Sequence, residues 1–234
     1  MLLPSTRSFP PGLPATDTVD AIADNDWAAF AGVEQLADHW SRPGWTAAKR
    51  VYYWMITFPG QATVHDLARR CQEALAGHDL DLIAADGLHI TVLRVGDREL
   101  VRPDLLPRLV DAATALELPA FDLEVRPLAG SRGAVRFSVG PWGPLVDLHH
   151  ALTRLGEELG VPGGRPTSGF RPHLGLGYNS AERPAGPLIQ AVAALRGLPA
   201  VHTVATDVEL VELRREPGRY VWKTLARVPL RLRP

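Results

Sequence analysis

Among the 234 residues of this chain, His89 and His173 are the side chains whose type and surroundings best suit chemistry. Each sits in an apolar, strand-like run, Leu88-His89-Ile90-Thr91-Val92 and Pro172-His173-Leu174-Gly175-Leu176. In an extended strand residues i and i+2 share a face. His89 and Thr91 therefore point one way, while Ile90 and Val92 point into a core. An imidazole transfers protons near neutral pH, and a hydroxyl beside it donates a hydrogen bond to a phosphate oxygen. That pair suits phosphate chemistry. If the two strands lie across a cleft, one histidine serves as general base and the other as general acid, and neither a metal nor a covalent intermediate is required. The sequence does not say which does which.

The elements that position these residues follow from periodicity. Val51–Phe58 (VYYWMITF) is β-branched and aromatic and reads as a strand. Thr63–Leu75 carries apolar residues at helical spacing and is closed by Gly77. Gly87–Val95 is a second strand, Leu105–Leu116 a helix, and Phe121–Leu128 and Ala134–Val139 are strands. Leu145–Leu159 is an amphipathic helix, Arg171–Tyr178 a strand and Pro187–Leu195 a helix. Val201–Leu213 and Tyr220–Val228 read as a terminal hairpin around Glu216-Pro217-Gly218. The order holds an internal duplication: His89 follows Val51 by 38 residues, and His173 follows Val135 by the same 38. A lone strand histidine is more often structural than catalytic. Two of them at corresponding places in a repeated unit point to a shared site.

Strand parity names further candidates. Val135, Phe137 and Val139 are apolar, which leaves Arg136 and Ser138 on the other face; by the repeat, that face corresponds to Tyr52 and Trp54. An aromatic ring stacked on a base is worth about 1–3 kcal/mol, and Arg136 is suited to a phosphate. Burial of both aromatics in the core is the competing reading. Tyr178 falls on the opposite parity from His173 and reads as structural.

Taken together, His89-Ile90-Thr91-Val92, His173-Leu174-Gly175-Leu176 and the Phe170-Arg171-Pro172-His173 approach resemble the paired His-x-Thr/Ser-x motifs of the two-histidine phosphoesterase superfamily. The branch that it looks like is the bacterial 2′-5′ RNA ligases, or RNA 2′,3′-cyclic phosphodiesterases, over roughly residues 50–230. The resemblance implies an α+β, bilobal, duplicated fold, with two antiparallel sheets lining a central cleft and helices packed outside. It also implies hydrolysis of 2′,3′-cyclic phosphodiesters without metal or cofactor, or 2′-5′ joining of RNA. His89 and His173 would be the acid–base pair, and Thr91 a phosphate clamp. One position departs: the second hydroxyl falls at Gly175. A hydrogen bond to a charged group is worth about 1.5–3 kcal/mol, so its loss would slow catalysis about 10- to 100-fold. The Gly175 amide, a water, Ser168 or Arg171 substitutes; or the substrate differs; or the protein only binds a nucleotide or RNA end. A working but altered site is the favoured outcome. A transferase or cyclase acting on another phosphorylated metabolite is the third function class.

Composition sets bounds. Hydrophobic residues make up 46% and charged residues 22%, as in a globular protein with a substantial core. The net charge of −1 argues against broad electrostatic capture of nucleic acid, though not against a small nucleotide or an RNA end. All 25 basic residues except Lys49 and Lys223 are arginine, the better bidentate phosphate binder. No run is long and apolar enough for a membrane helix, and the N-terminus lacks a secretory pattern. A cytoplasmic monomer is expected. With Cys71 the single cysteine, an internal disulfide and a cysteine zinc site are excluded; it lies on the apolar face of its helix and reads as buried and inert. His149-His150 diverge on their helix, no HExxH or Gly-x-Ser-x-Gly occurs, and Gly160–Gly169 lacks a phosphate-loop lysine. Residues 1–24, rich in proline, read as disordered. Asp26 reads as the cap of an appended helix over Trp27–Trp40, with a linker to residue 50. The phosphoesterase-like domain then spans 51–234.

Overall fold

The computed structural model describes residues 9–41, 44–164 and 166–232. Helix α1 (Val19–Ala31) and the short strand β1 (Gln35–Leu36) precede the main body. Its first half runs β2 (Val51–Thr57), α2 (Ala62–Ala74), β3 (Leu80–Leu82), β4 (His89–Asp97) and α3 (Leu105–Ala115). Next come β5 (Phe121–Ser131), β6 (Ala134–Gly140), α4 (Trp142–Glu158) and β7 (Leu174–Asn179). After these follow β8 (Arg183–Pro184), α5 (Gly186–Leu195) and β9 (Val201–Ala205). β10 (Asp207–Glu216) and β11 (Arg219–Pro229) form a hairpin, its two-residue turn completed by Gly218 at φ +70°.

The fold is α+β, as the motifs implied. One sheet has the order β11-β10-β2-β4 and the other β3-β7-β6-β5-β9, with every neighbouring pair antiparallel. The helices exchange sheets. α2 follows β2 of the first sheet but packs on β7 and β9 of the second, and α4 follows β6 of the second but packs on β4 of the first. Val64, Leu67, Ala68 and Cys71 of α2 and Leu145, Leu148, Leu152 and Leu155 of α4 make the buried stripes, each buried leucine contributing about 1.5–3 kcal/mol. One core cluster joins both sheets through Trp54, Ile56, Ile90, Val135, Phe137 and Leu176.

Three expectations are corrected. The appended helix starts at Val19, inside the segment expected to be disordered, and ends at Ala31 rather than Trp40. Thr18, not Asp26, is its cap, accepting from the Ala21 N–H at 3.4 Å. Val19, Ile22, Ala23 and Phe30 bury against β5 and β6, a tertiary contact that outweighs the weak local signal. Before it, the Asp17 carboxylate accepts from the Trp142 and Gly143 N–H groups at 2.6 and 2.9 Å and so closes the start of α4. Residues 1–8 lie outside the described residues. Second, Gln35–Leu36 pairs with Arg183–Pro184 as strand, so Leu36 and Trp40 are not helical. Third, Val201–Leu213 is not one strand: β9 joins β5 in the second sheet and β10 joins β2 in the first.

Candidate active site

The site forms where the two sheets face each other. Across the β2–β4 ladder Thr57 pairs His89 and Met55 pairs Thr91, which puts these four residues on one face. Trp54 pairs Leu93 and Ile56 pairs Ile90 on the core face. In the second sheet Arg136 pairs Gly175 and Ala134 pairs Tyr178. A cleft of about 320 Å³ gathers Tyr53, Met55, His89 and Thr91 from the first sheet with Ser131, Arg136, His173, Gly175 and Tyr178 from the second. Phe9, His39 and Trp45 from the N-terminal segment and Tyr220 from β11 complete it.

Both histidines are oriented alike. His89 Nδ1 lies 2.8 Å from the Gly87 carbonyl oxygen, and His173 Nδ1 lies 2.9 Å from that of Arg171. A carbonyl only accepts, so Nδ1 carries the proton in each neutral ring, and Nε2 is the basic nitrogen. The bonding residue lies two positions upstream in each case, a local repeat of the duplication. Burial holds the His89 pKa below the ordinary histidine value, partly offset by the Gly87 bond. The Trp222 ring meets the His89 ring edge-on at 5.1 Å, and the Phe9 ring lies 5.0 Å from that of His173.

Arg136 lines the cleft but is only 2% exposed, and its guanidinium meets the Asp26 carboxylate at 3.2 Å. Asp26 also accepts from Ser138 Oγ at 2.7 Å, and the Phe9 ring lies 4.5 Å from the guanidinium. The appended helix thus holds a cleft arginine in place. Desolvation pushes the Arg136 pKa down, against the pull of Asp26.

Not every sequence candidate reaches the cleft. Trp54 and Tyr52 are buried in the core, 0% and 7% exposed. The β2–β4 register slips between Trp54 and Met55, where β4 carries Val92 as an extra residue. Met55, opposite Thr91, and not Tyr52 is the counterpart of Arg136, opposite Gly175, because the stretch from Met55 to Thr91 is three residues shorter than that from Arg136 to Gly175; Tyr53 is the β2 aromatic that faces the cleft. Arg171 is buried away from the cleft lining, donating to the Ser168 and Phe170 carbonyls at 3.2 and 2.7 Å, with Trp142 beneath its guanidinium. Neither Arg171 nor Ser168 stands in for the missing hydroxyl. Tyr178, expected on the far face, lines the cleft because β7 carries Leu176 as an extra residue between Gly175 and Gly177, which reverses the parity. A Cβ added at Gly175 would meet Ile83 Cδ1 at 2.9 Å, so the isoleucine already fills the space of a side chain there. Trp222, Tyr220, His39 and Phe9 carry no signal in sequence, since only tertiary packing brings them to the histidines. Cys71 is buried and its thiol is pushed up to about 11. Among the described residues no group of three or more His, Cys, Asp or Glu is placed to hold a metal ion.

Residues 58–217, containing both histidine motifs, match the 2′-5′ RNA ligase superfamily. The chain belongs to that superfamily. Its members are two-histidine phosphoesterases, so this chain is of the phosphoesterase type. No curated protein matches it. Solved structures share the superfamily fold at low identity. The crystal structure of a phosphoesterase is 18% identical with a TM-score of 0.58, covering 78% of this chain and 99% of that one. Escherichia coli LigT complexed with 3′-AMP is 19% identical with a TM-score of 0.57, covering 78% and 98%. A Thermus thermophilus protein is 18% identical with a TM-score of 0.58, covering 77% and 98%. The superfamily match begins at Phe58, so Phe9, Asp26, His39 and Trp45 lie upstream of the matched residues.

Proposed function

We propose that this chain is a metal-independent phosphoesterase. It acts on 2′,3′-cyclic or 2′-5′ phosphodiesters of RNA ends or nucleotides, by acid–base catalysis between His89 and His173. The observation that carries the reading is the pair of imidazoles from separate sheets, each with Nδ1 on a backbone carbonyl and both lining one cleft. His89, with its pKa lowered by burial, is neutral near pH 7 and is assigned as base. Its Nε2 takes a proton from water as the oxygen attacks phosphorus. The bond from phosphorus to one ribose oxygen breaks, and His173, entering the step as the imidazolium, gives its Nε2 proton to the departing oxygen. Thr91 donates its hydroxyl to a phosphate oxygen, and the cationic Arg136 balances the anionic charge.

A cleft of about 320 Å³ suits a nucleotide or the last unit of an RNA. LigT, similar in fold, has been seen with 3′-AMP and with ATP. The net charge of −1 fits a small ligand better than a polymer. We place the chain as a cytoplasmic monomer.

The test is turnover of 2′,3′-cyclic nucleotides by the purified protein without added metal. His89→Ala and His173→Ala each lower kcat by at least about 100-fold with unchanged circular dichroism. Full activity in either variant overturns the assignment. Gly175 keeps one other reading in view: cyclic nucleotide bound with no product after long incubation would make the chain a nucleotide or RNA-end binder.

A further inference from the structure

The superfamily's second hydroxyl is absent at Gly175, yet the space it would serve is not without one. A Cβ built on Gly175 lies 3.8 Å from the Tyr178 hydroxyl oxygen. A serine hydroxyl, one bond beyond that Cβ, would occupy the same neighbourhood. We propose that the Tyr178 hydroxyl takes over this role and donates a hydrogen bond to the substrate phosphate. The inference rests on the phosphoesterase reading and deepens it by naming the second phosphate contact.

Three features of the strand converge on it. The extra residue Leu176 in β7 swings Tyr178 onto the cleft face, opposite Ala134, where an unbroken strand would have buried it in the core. Gly175 leaves the cleft floor low, so a long side chain two strand positions away can extend over it. Ile83 Cδ1, 2.9 Å from the missing Cβ, fills the space beneath. The ring is also held still. His39 lies 4.1 Å from it, Trp40 5.1 Å and Tyr220 5.4 Å, centroid to centroid. The next residue along the backbone is pinned by two bonds, the His39 N–H donating to the Asn179 carbonyl at 2.8 Å and the Asn179 N–H to the Gly133 carbonyl at 3.0 Å. A donor fixed before the ligand arrives needs no reorganisation when charge develops on phosphate oxygen. A phenol O–H is such a donor. His39, Trp40 and Tyr220 come from the N-terminal segment and β11, so elements far apart in the chain hold the substitute in place.

Inorganic phosphate is the probe. Its affinity is measured by calorimetry for the wild type, for Tyr178→Phe, and for Tyr178→Phe combined with Gly175→Ser and Ile83→Val. The valine removes the Cδ1 methyl that obstructs a side chain at 175. Turnover of 2′,3′-cyclic nucleotides is followed in parallel. Tyr178→Phe weakens phosphate binding and lowers kcat about 10- to 100-fold, the scale of one hydrogen bond to an anion, while the melting temperature is unchanged. The triple variant recovers most of both. Unchanged phosphate affinity in Tyr178→Phe overturns the inference, as does a loss that tracks a lower melting temperature and is not rescued. If the wild type turns over cyclic substrates and ignores Tyr178→Phe, the reaction stands and this contact falls. If phosphate binding depends on Tyr178 but no cyclic or 2′-5′ phosphodiester is consumed, the contact stands and the proposed reaction falls.

Discussion

At the scale of single residues, the site turns on what holds each imidazole. A backbone carbonyl two residues upstream accepts from Nδ1 in both, which sets the tautomer. For His89, burial disfavours the imidazolium and lowers the pKa, an effect that the Gly87 bond only partly offsets. The sign follows for catalysis. A base whose pKa lies below the usual histidine value of about 6.5 stays unprotonated as pH falls through that value. The acidic limb of kcat/KM against pH is therefore expected below about 6.5, and a limb above it would assign the base elsewhere. Much of this scale was legible in sequence. Alternation alone put His89 and Thr91 on one face, and the cleft contains both. Trp54 and Tyr52 were misplaced because the stretch from Met55 to Thr91 is three residues shorter than that from Arg136 to Gly175, an odd difference that reverses parity and leaves no compositional trace.

Elements decide how rigid the site is. His149 of α4 is 2% exposed, its Nδ1 2.9 Å from Thr167 Oγ1 and its ring stacked on Phe170 at 4.4 Å. It ties α4 to the loop that leads into His173. Burial lowers its pKa from 6.5 to about 4, with the charge of His150 adding to the effect. The unfolded chain therefore binds this proton more readily than the folded one. Its contribution to stability is fully present above pH 6.5 and is lost as pH falls toward about 4. The urea midpoint is expected to drop across that window, and His149→Gln should flatten the drop; an identical slope in the variant would refute the assignment. On the opposite side, α1 buries Asp26 against Arg136 and Ser138. Asp26→Ala leaves a guanidinium buried without its carboxylate, at a cost of about 3–5 kcal/mol, readable as a lower denaturant midpoint. A cost under about 1 kcal/mol would mean the pair behaves as a surface ion pair.

For the whole molecule, the exchange of helices between sheets and the added N-terminal segment shape the cleft together. The segment's Phe9 packs on both His173 and Arg136. Phe9→Ala is expected to shift the His173 ring-proton resonances by removing the ring current, while leaving those of His149 in place. If the His173 resonances do not move, Phe9 does not close the cleft in solution. Among the described residues no helix is long and apolar enough to cross a membrane. From the sequence alone came the α+β class, through the paired motifs, the longer strands and helices of residues 51–200 to within a few residues, though not the short β3 and β8, and the two histidines. Each is written in local periodicity or in a short motif, and local chemistry suffices to specify it. Only the tertiary structure decided that α1 begins at Val19, that residues 201–213 divide between two sheets, and that Tyr178 turns toward the histidines. Those outcomes depend on which distant surfaces are buried and on single extra residues in a ladder. Both act through contacts between segments far apart in the chain, which no local pattern encodes.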